Sequence, residues 1–206
     1  MSGTVFWGDS LVAGLINDTD RLLFKQHNVA DLGLSGDTAP QILARYQQSP
    51  NRCYDQWNHV IWAGQNHIDT ASLVNSVASM VSAISATHTR FLVVSVINAG
   101  MTGVDQGPAG ARYLEKMAAN TSMRLTYGAK FLDLHRMLVD YGKSISDVQS
   151  LSFDAPPSTF QPVDIHLTGP NGYTFCTLAI LNKLQSLGYL TRSVTNAQIV
   201  AAGGAA

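Results

Sequence analysis

Four short stretches place reactive or hydrogen-bonding groups where a nucleophilic reaction would need them. Ser10 stands in "GDSL", directly after an apolar run. A serine at a sharp strand-to-helix junction projects above a sheet edge, and its own N–H lies in the first helical turn. Such a residue supplies both a hydroxyl nucleophile and a donor for the oxyanion formed at an ester carbonyl. Its ordinary alternative is a helix cap, a role that Asp and Ser both favour. Gly36, in "GLSGDT", would bring a backbone N–H close to a ligand that a Cβ would hold off, or would simply form a turn feeding a cap at Asp37 or Thr38. Asn66, in "WAGQNH", carries a neutral, directional amide suited to an oxyanion, or makes an Asx turn after Gly64 bends the chain. His166, in "PVDIHLTG", precedes Thr168, a cap candidate, with Pro170 and Asn171 in the first turn of a closing helix. An imidazole in a cleft is a base near neutral pH, although a lone histidine is more often structural.

The elements that must position these residues are legible as an alternation. Strand candidates are 4–8, 28–33, 59–64, 90–97 and 129–134, and the fourth, "RFLVVSVI", is apolar with little alternation, as a strand covered on both faces should be. Helical patterns fall at roughly 10–26, 38–48, 70–88, 108–127, 134–142 and 170–188. This order predicts a parallel sheet with helices on both faces and ligands at the carboxyl ends of the strands. The residues following the first four strands are "GDSL", "GLSGDT", "GQNH" and "NAGMTG", so each weak signal falls on the expected edge. Two stretches read as long loops, the glycine-rich 98–110 as a substrate rim and 144–163 without steady periodicity.

Composition narrows the class. A chain of 206 residues with 46% hydrophobic side chains can bury one sizeable α/β core, placed at 1–190, with 191–206 as a flexible tail or linker. A formal charge of −1 removes the Lys/Arg excess that nucleic-acid binding needs. No run approaches the length of a membrane span, and "MSGTVFWGDS" has no signal-peptide character, which makes a soluble, cytoplasmic protein the default while leaving the compartment and the oligomeric state open. Cys53 and Cys176 are expected as two buried thiols, with one long-range disulfide as the alternative. His27, His59, His67, His88 and His135 lack metal-ligand spacing, so no metal is expected. Trp7 and Trp62 belong to core strands, and Trp57 is either a packing residue or a rim aromatic.

In these blocks the sequence resembles the GDSL esterases and lipases, also called SGNH hydrolases, from the first strand to the last helix. The family's Ser in "GDS", its Gly, its Asn in "GxN" and its terminal His fall on Ser10, Gly36, Asn66 and His166, and "HLTGPNGY" is a close local match. The resemblance implies a flavodoxin-like, three-layer α/β/α sandwich with a five-stranded parallel sheet. It further implies ester hydrolysis through an acyl-serine, without a cofactor. Ser10 would be the nucleophile, His166 the base, and Ser10 N–H, Gly36 N–H and Asn66 the oxyanion donors. Two positions depart from the family: His67 follows Asn66 where an Asp is common, and Val163 stands three residues before His166 where the family has an Asp. Asp164 takes that acid's place if the segment is extended, since residues i and i+2 then share a face; otherwise a backbone carbonyl orients the ring. Polar, glycine-rich loops favour a small-molecule or carbohydrate ester with a short acyl group, such as acetyl. Thioesters, acyl transfer, or a binding module that has lost turnover are the alternatives.

Overall fold

The computed structural model describes residues 3–18, 28–48, 54–66, 69–86, 88–98, 107–161 and 165–190. Five strands form one parallel sheet: β1 (Thr4–Gly8), β2 (Val29–Gly33), β3 (Asn58–Trp62), β4 (Phe91–Val94) and β5 (Phe131–Leu132). Their spatial order is β2-β1-β3-β4-β5, the flavodoxin-like order, whose switch point lies between β1 and β3. Among the described residues, α-helices α1 (Ser10–Asp18), α2 (Ala39–Gln47), α3 (Thr70–Ser85), α4 (Ala111–Tyr127), α5 (Leu134–Ser144), α6 (Val148–Phe153) and α7 (Thr174–Ser186) accompany them.

Alternation along the strands divides the interior between the two faces of the sheet. Phe6, Val60, Trp62, Leu92, Val94 and Leu132 pack with α1, α5 and α7 in one buried cluster. Val5, Trp7, Ile61, Phe91, Val93 and Phe131 pack with α2, α3 and α4 in the other. The expected three-layer α/β/α sandwich is therefore the observed one. Register then fixes the level of the site. Gly8 pairs with Gly33 on one side and with Trp62 on the other, so the loops after β1, β2 and β3 leave the sheet at one height.

Several elements differ from the sequence expectation, each for a tertiary reason. β4 stops at Val94, not Ile97, because the amide of Asn120 takes over the chain there, accepting from Val96 N–H and donating to Val96 O, both at 2.8 Å. β5 shrinks to two residues between a tight turn at Gly128–Lys130 and Asp133, which caps α5 by accepting from Arg136 N–H. The stretch 144–163 is not a plain loop, since it holds α6. Asp147 accepts there from both the N–H and the hydroxyl of Ser158 (2.6 and 2.7 Å). The closing helix begins at Thr174, preceded by a wide turn at Gly169–Tyr173. Thr168 stands at the cap position of that turn, yet its hydroxyl bonds back to Thr159 O and Phe160 O instead of capping.

Trp57 proves a packing residue. It precedes β3 at the amino edge, away from the ligand edge, and meets Tyr54 edge-on at 4.9 Å. Cys176 is a buried free thiol, whereas Cys53 lies outside the described residues. So do the expected tail 191–206, the second half of the helical pattern 10–26, and most of the loop 98–110. Among the described residues no helix is long and apolar enough to cross a membrane.

Candidate active site

Ser10 is the first residue of α1, but it does not cap the helix. Asp9 does, accepting from Leu11 N–H at 3.0 Å through its Oδ1. With capping assigned to Asp9, the Ser10 hydroxyl is left to face His166, whose Nε2 lies 2.9 Å from Ser10 Oγ. Ser10 is 9% exposed, and His166 is exposed, so one partner is set into the edge of the sheet and the other stands at its surface.

The turn that delivers His166 is built from both ends. Gln161 Nε2 donates to Ile165 O at 2.8 Å, and Thr168 N–H donates to Phe160 O at 2.6 Å. On the far side, Tyr173 packs so closely on α1 that a Cβ at Gly14 would lie 2.2 Å from the Tyr173 hydroxyl. Gly14 thus admits the aromatic ring that seats the wide turn beside the serine-bearing helix.

Gly36 sits in the turn after β2 with φ +85°, a conformation that L side chains rarely adopt. A Cβ built there would meet nothing within 4 Å. The backbone conformation therefore selects glycine here, and the space beside it is open. Asn66, just past β3, donates from Nδ2 to Asp37 O at 3.2 Å, which ties its amide to the Gly36 turn. Thr38 caps α2, and its N–H and hydroxyl both approach Gln41 Oε1 at 2.8 Å. Ser10, Gly36, Asn66 and His166 therefore gather at the carboxyl ends of β1, β2 and β3, across the switch point. Val163, Asp164 and His67 lie outside the described residues.

Three supporting residues escaped the sequence reading. Arg45 is the first, binding Asp37 Oδ2 through Nε at 2.6 Å and donating to Leu32 O and Gly8 O, the ends of β2 and β1. Asp9 is the second. Its Oδ2 accepts from Gln65 N–H at 3.2 Å, which joins the serine loop to the asparagine loop. Burial pushes its carboxyl up to about 6, against the pull of the Leu11 and Gln65 amides and of the charges on Lys116 and His166. Lys116 is the third, and its ammonium is pushed down to about 8, by burial first and by Arg112 second. The inward face of α4 comprises Lys116, Ala119, Asn120 and Met123, so a lysine on the apolar stripe of a helix was the available signal.

A five-stranded parallel sheet in this order with helices on both faces matches the SGNH-hydrolase fold. No family model matches the chain, and no curated protein does. Solved structures share the fold, and the neighbours are GDSL-like lipases and esterases. A GDSL-like lipase from Bacteroides thetaiotaomicron VPI-5482 is 18% identical, with a TM-score of 0.70 over 92% of this chain and 89% of that one. An acetylxylan esterase from Geobacillus stearothermophilus is 14% identical, with a TM-score of 0.60 over 89% and 94%. The esterase EstA from a Pseudoalteromonas species, inhibited by monoethylphosphonate, is 16% identical, with a TM-score of 0.59 over 92% and 100%.

Proposed function

We propose that this chain is a serine ester hydrolase that works through an acyl-serine intermediate. The observation that carries the reading is the 2.9 Å contact between Ser10 Oγ and His166 Nε2 at the ligand edge of the sheet. His166 takes the hydroxyl proton as Ser10 Oγ attacks the ester carbonyl. The tetrahedral oxyanion is held by Ser10 N–H, Gly36 N–H and the Asn66 amide. Collapse expels the alcohol, which receives the proton from His166, and leaves the acyl group on Ser10. A water, deprotonated by His166, then attacks the acyl-serine; the acyl–Oγ bond breaks, the acid leaves, and Ser10 Oγ takes the proton back from His166. The carboxylate of Asp164 orients the imidazole through Nδ1 and steadies its cationic form. No step needs a cofactor. The hydrolase unit is residues 1–190.

The preferred esters carry short acyl groups, such as O-acetyl on carbohydrate. Two features support this: polar, glycine-rich loops around the site, and a fold shared with an acetylxylan esterase. Hydrolysis of p-nitrophenyl acetate beside Ser10→Ala tests the reading. Turnover should vanish in Ser10→Ala with folding intact, His166→Ala should cost about as much, and the double variant little more, because the two act as a unit. Substantial activity in either single variant would sink it, and a wild-type chain without Ser10-dependent turnover would make it a binding module.

A further inference from the structure

Among the described residues, the mechanism leaves a buried cation, Lys116, unused. Lys116 is 5% exposed, and its ammonium donates to Ile97 O at 3.4 Å. With the Gln65 amide turned so that its nitrogen donates to Ile97 O at 3.0 Å, its oxygen accepts from Lys116 Nζ at 3.2 Å. The backbone N–H of the same Gln65 binds Asp9 Oδ2, and Asp9 caps the helix that Ser10 begins. Gln65 is therefore held at both ends, by Lys116 through its side chain and by Asp9 through its backbone. Its chain neighbour is Asn66.

A lysine that only filled space between α4 and β4 would be served by methionine, without an ammonium to desolvate. We infer that Lys116 is a positioning residue for the oxyanion side of the site, acting through Gln65 on Asn66 and through Asp9 on the Ser10 turn. This rests on the hydrolase reading. An oxyanion donor works only within a few tenths of an ångström of its ideal place, so a loop that loses its anchor loses rate before it loses substrate binding. The charge matters as well. Asp9 faces Lys116 from α4 and His166 from the turn before α7, while Lys116 faces Asp9 and, from its own helix, Arg112. Lys116 thus pulls against the burial that raises the Asp9 carboxyl.

The test compares wild type, Lys116→Met, Gln65→Leu and the double variant on p-nitrophenyl acetate across pH, with a carbon-13 NMR titration of the Asp9 carboxyl. Lys116→Met should lower kcat by about 10–100-fold at nearly unchanged KM, the scale of a small misplacement of catalytic groups. Gln65→Leu should do the same, and the double variant should be little worse than either. The Asp9 carboxyl should titrate at higher pH in Lys116→Met. Wild-type kcat and an unmoved Asp9 titration in Lys116→Met, or losses that simply add, would overturn the inference. Gln65→Leu reads the same link from its other end should Lys116→Met fail to fold. If wild type shows no Ser10-dependent turnover, the hydrolase reading fails separately. The NMR titration then decides, and an Asp9 unaffected by Lys116→Met refutes the coupling.

Discussion

Arg45 Nε lies 2.6 Å from Asp37 Oδ2, and the same guanidinium reaches the carbonyls of Leu32 and Gly8. One side chain on α2 thereby pins the ends of β1 and β2 to the turn that carries Gly36. Arg45→Met would leave a largely buried carboxylate and two carbonyls without this donor. Urea unfolding should show a loss of about 3 kcal/mol, the scale of breaking a buried pair from one side. Arg45→Lys should recover less than half of it, since an ammonium does not reproduce a planar fork with three acceptors.

Asn66 is held toward Asp37 O in the free protein. On the proposed mechanism its amide donates to the oxyanion only once charge develops on a substrate. Asn66→Ala should therefore lower kcat by about 10²–10³ with a smaller effect on KM. Steady-state kinetics separate the two parameters, and a change confined to KM would make Asn66 a ground-state binding residue.

Because Nε2 of His166 faces Ser10, orientation of the ring must come from the Nδ1 side. With Asp164 as that partner, Asp164→Ala should fall in kcat by a few orders of magnitude, toward the ~10⁴ lost when serine proteases are deprived of theirs. Val163→Asp should bring no gain. A nearly silent Asp164→Ala, together with faster turnover in Val163→Asp, would transfer the role to a backbone carbonyl and leave a Ser-His dyad.

Stability should respond to acid through two buried groups of opposite sense. His59 accepts from Trp7 Nε1 at Nδ1 and lies against Tyr54 O at Nε2, which fixes a neutral ring, and burial first, then His88, pushes its pKa from 6.5 down to about 4. Between these values the unfolded chain holds a proton that the folded chain lacks. Stability contributed by neutral His59 is full above about 6.5 and is lost as pH falls toward 4. Asp9 is raised from 3.8 to about 6, so there the folded chain holds the extra proton and gains stability over nearly the same fall. Urea unfolding at several pH values should show a flatter acid slope in His59→Gln and a steeper one in Asp9→Asn.

The five strands and the site edge were legible because hydrophobic alternation, glycines and strand-end polar residues are local signals. Ser10, Gly36, Asn66 and His166 were found by their place at strand ends, and the structure gathers all four on one edge. What the sequence hid depends on distant partners. Nothing local says that Asn120 will end β4, that Ser158 will help hold the short helix α6 through Asp147, or that Asp9 rather than Ser10 will cap α1. The positive φ of Gly36 was equally out of sight, since it depends on how the turn after β2 is held. Lys116 was overlooked because a lysine on a helix is ordinarily a solvated one.

Ser10 and His166 stand 156 positions apart, one on the first helix and the other just before the last. On the proposed mechanism, the serine emerges during synthesis long before the histidine that would deprotonate it. Closing so long a loop is among the slower events available to a folding chain. Recovery of turnover on refolding should therefore follow the docking of the last turn and helix, lagging behind the spectroscopic return of the sheet. Hydrolysis becomes a report on whether the two ends of the chain have met.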